Sequence, residues 1–122
     1  MALNMDISRI DRLQSQMIRA LAAIVDEELK DRPPNMLTFT RTEISRDLRH
    51  AKVYFSVLGG GQEIEDCMAY LKRHGGIIKK ILGSRMRMKH MPEIKYVYDD
   101  SGDNVARVNE ILEQIKNETD EK

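Results

Sequence analysis

The sequence holds one cysteine, Cys67, in 122 residues. A lone thiol excludes an internal disulfide framework and fits a reducing compartment. Long hydrophobic runs are missing too: no stretch approaches the ~20 apolar residues that a membrane-spanning helix needs, so no membrane partner is expected. The segment Met1-Ala2-Leu3-Asn4-Met5-Asp6 lacks a basic stretch followed by an apolar one. No signal peptide is therefore expected, and a cytoplasmic location is. Net charge is absent as well, with 20 Lys and Arg against 20 Asp and Glu. What is present is patterned apolar content: 41% apolar and 33% charged residues suit a compact soluble domain and exclude disorder throughout. This length gives room for one core. A single domain over residues 1–117, a polar and disordered end over 118–122, and a monomer are the expectations.

A zero balance argues at first against a nucleic-acid partner, but the charges are segregated. Residues 1–40 carry five basic and six acidic side chains, residues 41–95 twelve and six, and residues 96–122 three and eight. Between Cys67 and Pro92 there is no Asp or Glu, while the same window holds Lys72, Arg73, Lys79, Lys80, Arg85, Arg87 and Lys89 with His74 and His90. Such asymmetry points to an anionic partner reached by one region. The alternative is a solvated basic face balanced by an acidic tail.

Apolar periodicity predicts a long helix over 7–30, carried by Ile10, Leu13, Met17, Leu21 and Ile24 and started by Asp6 or Ser8. Pro33-Pro34 forbids its continuation. Threonine-rich Leu37 to Ile44 reads as a strand, and Ser45-Arg46-Asp47 as a turn. Ala51, Val53, Phe55 and Val57 alternate with polar neighbours, a strand with one buried face. After Gly59-Gly60-Gly61 a second helix runs from about 62 to 73, with Cys67 on its apolar stripe. A third helix follows Gly75-Gly76, with Ile77, Ile78, Ile81, Leu82 and Met86 on one side, and Pro92 marks its end. Ile94, Tyr96 and Tyr98 give a third strand, and Val105 to Ile115 a last helix. The order α-β-β-α-α-β-α implies an α+β domain of two layers, a three-stranded mixed sheet with helices packed on it.

Few residues invite catalysis. The glycine run at 59–61 lacks the Gly-Lys-Ser/Thr ending of a phosphate loop and the spaced glycines of a dinucleotide fingerprint. His50, His74 and His90 raise a small nuclease as one reading, but no metal set or nucleophile accompanies them. No catalytic residue, metal site or cofactor is expected. The segment Lys72-Arg73-His74-Gly75-Gly76-Ile77-Ile78-Lys79-Lys80 differs in kind. Paired glycines let backbone approach backbone, a helix N-terminus offers N–H groups, and cations flank both sides. That suits a sugar-phosphate backbone, the logic of a KH domain. A plain helical corner is the alternative. A DNA-reading helix-turn-helix fits less well, because the third helix has no Asn or Gln to pair with adenine.

The ordered set Lys30-Asp31-Arg32-Pro33, Ser45-Arg46-Asp47-Leu48, Ala51 to Gly59, Gly76-Ile77-Ile78, Leu82-Gly83, Met86-Arg87-Met88, Pro92-Glu93-Ile94 and Asp99 resembles the ribosome-binding factor A family. The resemblance implies a type II KH-like domain whose helix pair meets at an Ala-x-Gly kink. Here that kink aligns with His74-Gly75-Gly76, and His74 stands where the family usually has Ala. It also implies a non-enzymatic factor that binds the immature small (30S) ribosomal subunit and its 16S rRNA, promotes late maturation and end processing of that rRNA, and serves growth at low temperature. A generic single-stranded-RNA module is the nearer rival. The expected RNA-binding residues are Lys72, Arg73, His74, Gly75, Gly76, Lys79, Lys80, Arg85, Arg87 and Lys89.

Overall fold

The structure, a computed structural model, describes residues 2–101, with side chains from Arg9 onward. The helix expected over Val105 to Ile115 and the polar end lie outside the described residues. Helix α1 spans Ala2–Ala23 and passes into a π-helical turn over Ile24–Glu28. The expected range of 7–30 is therefore shifted, and Asp6 and Ser8 lie inside the helix instead of capping it. The wider turn lets two consecutive β-branched residues, Ile24 and Val25, both be buried. Leu29 is already extended, at φ −89° and ψ 137°, four residues ahead of Pro33.

Strands β1 (Leu37–Ile44) and β2 (His50–Val57) form an antiparallel hairpin, and β3 (Glu93–Tyr98) lies parallel to β2 on its other side. Parallel neighbours need a crossover of a dozen residues or more. Helices α2 (Gly61–Arg73) and α3 (Gly75–Met86) supply it. The sheet is thus mixed and the domain two-layered, as expected. α1 packs on β1 and against α3, while α2 covers β2 and β3.

Period-two alternation decides which strand residues face the helices. Ala51, Val53, Phe55 and Val57 are buried from β2, and Phe39 and Ile44 from β1. They meet Met17, Leu21 and Ile24 of the first helix, Tyr70 and Leu71 of α2, and Ile78 and Leu82 of α3. Each large apolar side chain so buried stabilises the fold by roughly 1.5–3 kcal/mol. Cys67 is fully buried among them, and burial pushes its thiol up. It is the small hydrophobe that its place on the α2 stripe indicates.

Polar groups at the edges are satisfied locally. Buried Thr42 donates its hydroxyl to the Gln14 carbonyl at 2.8 Å, and the Gln14 side chain accepts the N–H of Ile44 at 2.9 Å. One residue of α1 thereby fixes the end of β1. In the hairpin turn, Asp47 accepts from the Ser45 hydroxyl at 2.6 Å and the Arg49 N–H at 3.1 Å. At the start of α2, Glu63 reaches back to the N–H of Gly60 at 2.9 Å.

The register of β1 slips at Thr40, between Phe39 and Arg41. The hydroxyl of this bulged residue donates to Asp99, just past β3, at 2.7 Å. Asp99 also accepts from the hydroxyl and N–H of Ser101. The hydroxyls of Ser101 and Thr40, with the Ser101 N–H, hold its carboxyl down at about 2. A carboxylate depressed on folding contributes stability that is fully present above its unfolded value near 3.8 and is lost as pH falls toward 2. Thermal melts between pH 5 and 2 should therefore show a smaller acid loss in Asp99→Asn than in the wild type. Parallel curves for the two proteins would contradict this role.

Candidate nucleic-acid interface

The site is built on the joint between α2 and α3. α2 ends at Arg73 and α3 begins at Gly75, so His74 alone connects them. Its φ of −95° and ψ of 5° turn the chain in the bridge region. The His74 N–H donates to the Tyr70 carbonyl at 3.0 Å, and its own carbonyl accepts the Ile78 N–H at 3.0 Å. A single residue closes one helix and opens the next.

The imidazole of His74 is turned inward rather than toward solvent. Its side chain is only 14% exposed. Nδ1 lies 2.9 Å from the Tyr70 carbonyl oxygen, a pure acceptor, which fixes the proton on Nδ1. Nε2 lies 3.6 Å from a carboxylate oxygen of Asp31, and the ring rests on Tyr70 with centroids 4.3 Å apart. Tyr70 is itself buried and donates its hydroxyl to the Asp31 carbonyl at 2.6 Å. Burial, with Asp31 adding to it, pushes the Tyr70 phenol up. The Tyr70 hydroxyl, with the imidazole resting on its ring, anchors the joint to the loop after the first helix.

The glycines do not serve contact within the chain. Neither Gly75 nor Gly76 has a positive φ, and a Cβ built on either meets nothing within 4 Å. The space before both glycines is open. The absent side chains leave room for something outside the chain. In contrast, Gly59 has φ +138° and its Cβ would fall 2.7 Å from Glu63 Cγ, so the fold itself requires that glycine.

Lys72 and Arg73 in the last turn of α2, and Lys79 and Lys80 on α3, are all exposed around this open joint. Ile77, expected in the core, is 49% exposed. The buried stripe of α3 is Ile78, Leu82 and Met86; Ile77 sits one residue ahead of it and turns ~100° away. The other expected cations lie elsewhere. Arg85 is bonded to Glu28 of the π-helical turn, clipping α3 to the end of the first helix. Arg87 caps the far end of α3 in the left-handed region at φ 53°, with exposed Lys89 just beyond it.

Beside the joint, Lys72 also borders a groove of about 720 Å³ between α2 and the first residues of β2 and β3. Met68, Ile94 and Tyr96 give it apolar walls, while Lys52, Glu93 and Lys95 border it from strand positions whose side chains alternate to the opposite, open face of the sheet. Lys52 and Lys95 are direct partners across β2 and β3 on that open face, a like-charge pair. The Tyr96 hydroxyl is buried without a hydrogen-bond partner among the described residues, and burial pushes it up to about 12. Sequence reasoning missed Tyr96 as a groove residue. It reads as an ordinary member of an alternating strand, and only the parallel pairing of β3 with β2 beside α2 places it there.

The three histidines are not gathered into one site. His50 lines the groove, His74 is held in the joint, and His90 lines a separate cavity at the other end of α3. Among the described residues no group of three or more His, Cys, Asp or Glu is placed to hold a metal ion. No helix among them is long and apolar enough to cross a membrane.

Because Gly76 has helical backbone and open space at its Cβ, Gly76→Ala should raise folding stability by about 0.4–1 kcal/mol in urea melts. A lowered midpoint would show that the fold needs this glycine. Gly59→Ala should behave oppositely, with a clear loss.

Residues 9–112 match the family model described as Ribosome-binding factor A. The chain is 40% identical over 109 residues to ribosome-binding factor A of Thioalkalivibrio sulfidiphilus, covering 89% of this chain and 84% of that protein. It is 38% identical over 110 residues to the one from Halothermothrix orenii, covering 90% of each. Among solved structures, a Thermotoga maritima protein described as a putative ribosome binding factor A superposes with a TM-score of 0.65 at 29% identity, over 76% of this chain and 89% of that one. The crystal structure of ribosome-binding factor A from Thermus thermophilus gives a TM-score of 0.64 at 25% identity, over 73% and 94%. With the family model matched over residues 9–112 and the fold in agreement, this chain belongs to the ribosome-binding factor A family.

Proposed function

We propose that this protein is a non-enzymatic assembly factor that binds the immature small ribosomal subunit through its 16S rRNA and promotes late maturation and processing of the rRNA ends. Family membership supplies the ribosomal target, as the relatives' name states for them. The observation that carries the RNA-binding reading is the joint itself. Two glycines with open space before them sit at the start of a helix, between exposed Lys72 and Arg73 on one side and exposed Lys79 and Lys80 on the other. A phosphodiester backbone can approach first-turn N–H groups there without meeting a side chain. The neighbouring groove then takes a base against Met68, Ile94 and Tyr96, with Lys72 at its edge for a phosphate.

The protein acts by occupancy. A bound factor shifts rRNA folding only by as much as it prefers one conformation over another, and it needs no nucleophile or metal to do so. The separated histidines leave the nuclease reading without a cluster to work from. Backbone contacts carry little sequence information, so specificity comes from the shape of the immature subunit.

The test is binding of purified protein to purified small subunits. Lys79→Glu/Lys80→Glu should weaken binding at least tenfold with an unchanged melting curve, since both side chains are solvated. Wild-type affinity should fall with salt at a log–log slope of roughly −3 to −5 for four to six phosphates neutralised. A salt-independent affinity would sink the proposal. Equal affinity for free oligonucleotides and for the subunit would favour a generic RNA-binding module.

A further inference from the structure

At the far end of α3 the chain builds a second basic cavity, also of about 720 Å³. Arg9 from α1, Arg49 from the hairpin turn, and Arg87, Lys89 and His90 from the segment after α3 all line it. The four Arg and Lys residues are exposed, and none forms a salt bridge with another described residue. The carboxylate in the wall, Asp47, is engaged through Oδ1 by its own turn. Three distant stretches of sequence thus converge their cations on one hollow.

The backbone around that hollow is unusual. Leu48 at φ 60° and Arg87 at φ 53° are the non-glycine residues with positive φ among the described residues, and both line this cavity. A left-handed bulky residue is uncommon and carries strain, and such strain gathers at functional sites. Here it sets Arg49, the residue after Leu48, and Arg87 itself toward the same space. Three guanidinium groups, with their planar forks of donors, match phosphate better than they match a single carboxylate.

We propose that this cavity is a second, separate site for RNA phosphates, so that the domain grips two segments of the subunit's RNA at once. The proposal rests on the RNA-binding reading above and extends it. The two sites flank α3, whose 12 residues at ~1.5 Å each hold them roughly 18 Å apart. That is about twice the ~8 Å screening length at physiological salt, so each site binds its own phosphates. A rigid link between two weak sites raises affinity by roughly 10²–10⁴ over either alone, but only for an RNA that reaches both.

The test compares three probes: a single-stranded octanucleotide, protein-free 16S rRNA and purified small subunits. Arg9→Ala/Arg49→Ala/Lys89→Ala leaves the left-handed Arg87 in place. This variant should bind the octanucleotide within twofold of wild type. It should lose tenfold to a hundredfold on 16S rRNA and on subunits, with a salt slope shallower by about 2–3. If the triple variant melts early, Lys89→Glu alone should show the same pattern at smaller size. Lys79→Glu/Lys80→Glu should weaken all three probes. Should that variant weaken none while the triple variant loses rRNA, the joint reading fails and the second site stands. Unchanged rRNA affinity in the folded triple variant would overturn the proposal, as would equal losses on octanucleotide and rRNA. Loss on subunits but not on protein-free rRNA would overturn it in favour of an acidic protein partner.

Discussion

The structure turns on the inward seat of His74. Two helices meet there with no loop between them, and each is pinned to the core separately. Cys67, Tyr70 and Leu71 hold α2, while Ile78, Leu82 and Met86 hold α3. Between them the imidazole is tied to the Tyr70 carbonyl and faces the Asp31 carboxylate. The joint is therefore fixed from three directions, and the open side before Gly75 and Gly76 is a permanent feature of the fold. Conformational order that a ligand would otherwise have to impose is already present, which lowers the entropic cost of binding.

A chain with no net charge can still bind a polyanion, because screening makes charge a local matter. Beyond about 8 Å at physiological salt, exposed charges hardly sense one another. The acidic side chains that neutralise the sum in the sequence therefore need not weaken a basic joint elsewhere. The same locality separates the cations along α3. Arg85 is absorbed by Glu28, whereas Lys79 and Lys80 keep their charge for solvent or ligand.

Much of this was legible in the sequence. Alternation in Ala51 to Val57, the stripe through Ile78, Leu82 and Met86, and the glycine pair were enough to order the elements and locate the joint. Local periodicity reports which residues share a face, and it worked wherever burial on one face decided the structure. It failed where neighbours distant in sequence decide. The joint is tied through the Tyr70 hydroxyl to the Asp31 carbonyl, which comes before it by the whole hairpin and most of α2. The groove depends on β3 pairing parallel to β2, which sets Ile94 beside Ala51 and Tyr96 beside Val53, and parallel register leaves no local signal. The π-helical turn, the bulge at Thr40 and the left-handed Leu48 are likewise set by packing, not by composition. A continuous acid-free window read as one basic face proved to be two ends of a helix with an ion pair between them.

The most direct test of the RNA-facing joint is hydrogen–deuterium exchange of the protein, free and bound to purified small subunits. First-turn N–H groups with no acceptor in their own helix exchange fast unless a ligand covers them. The account predicts slowed exchange concentrated over residues 72–80, with further protection at 93–96 along the groove. Protection confined to the opposite, open face of the sheet around Thr38, Tyr54 and Ser56, with residues 72–80 unchanged, would contradict it.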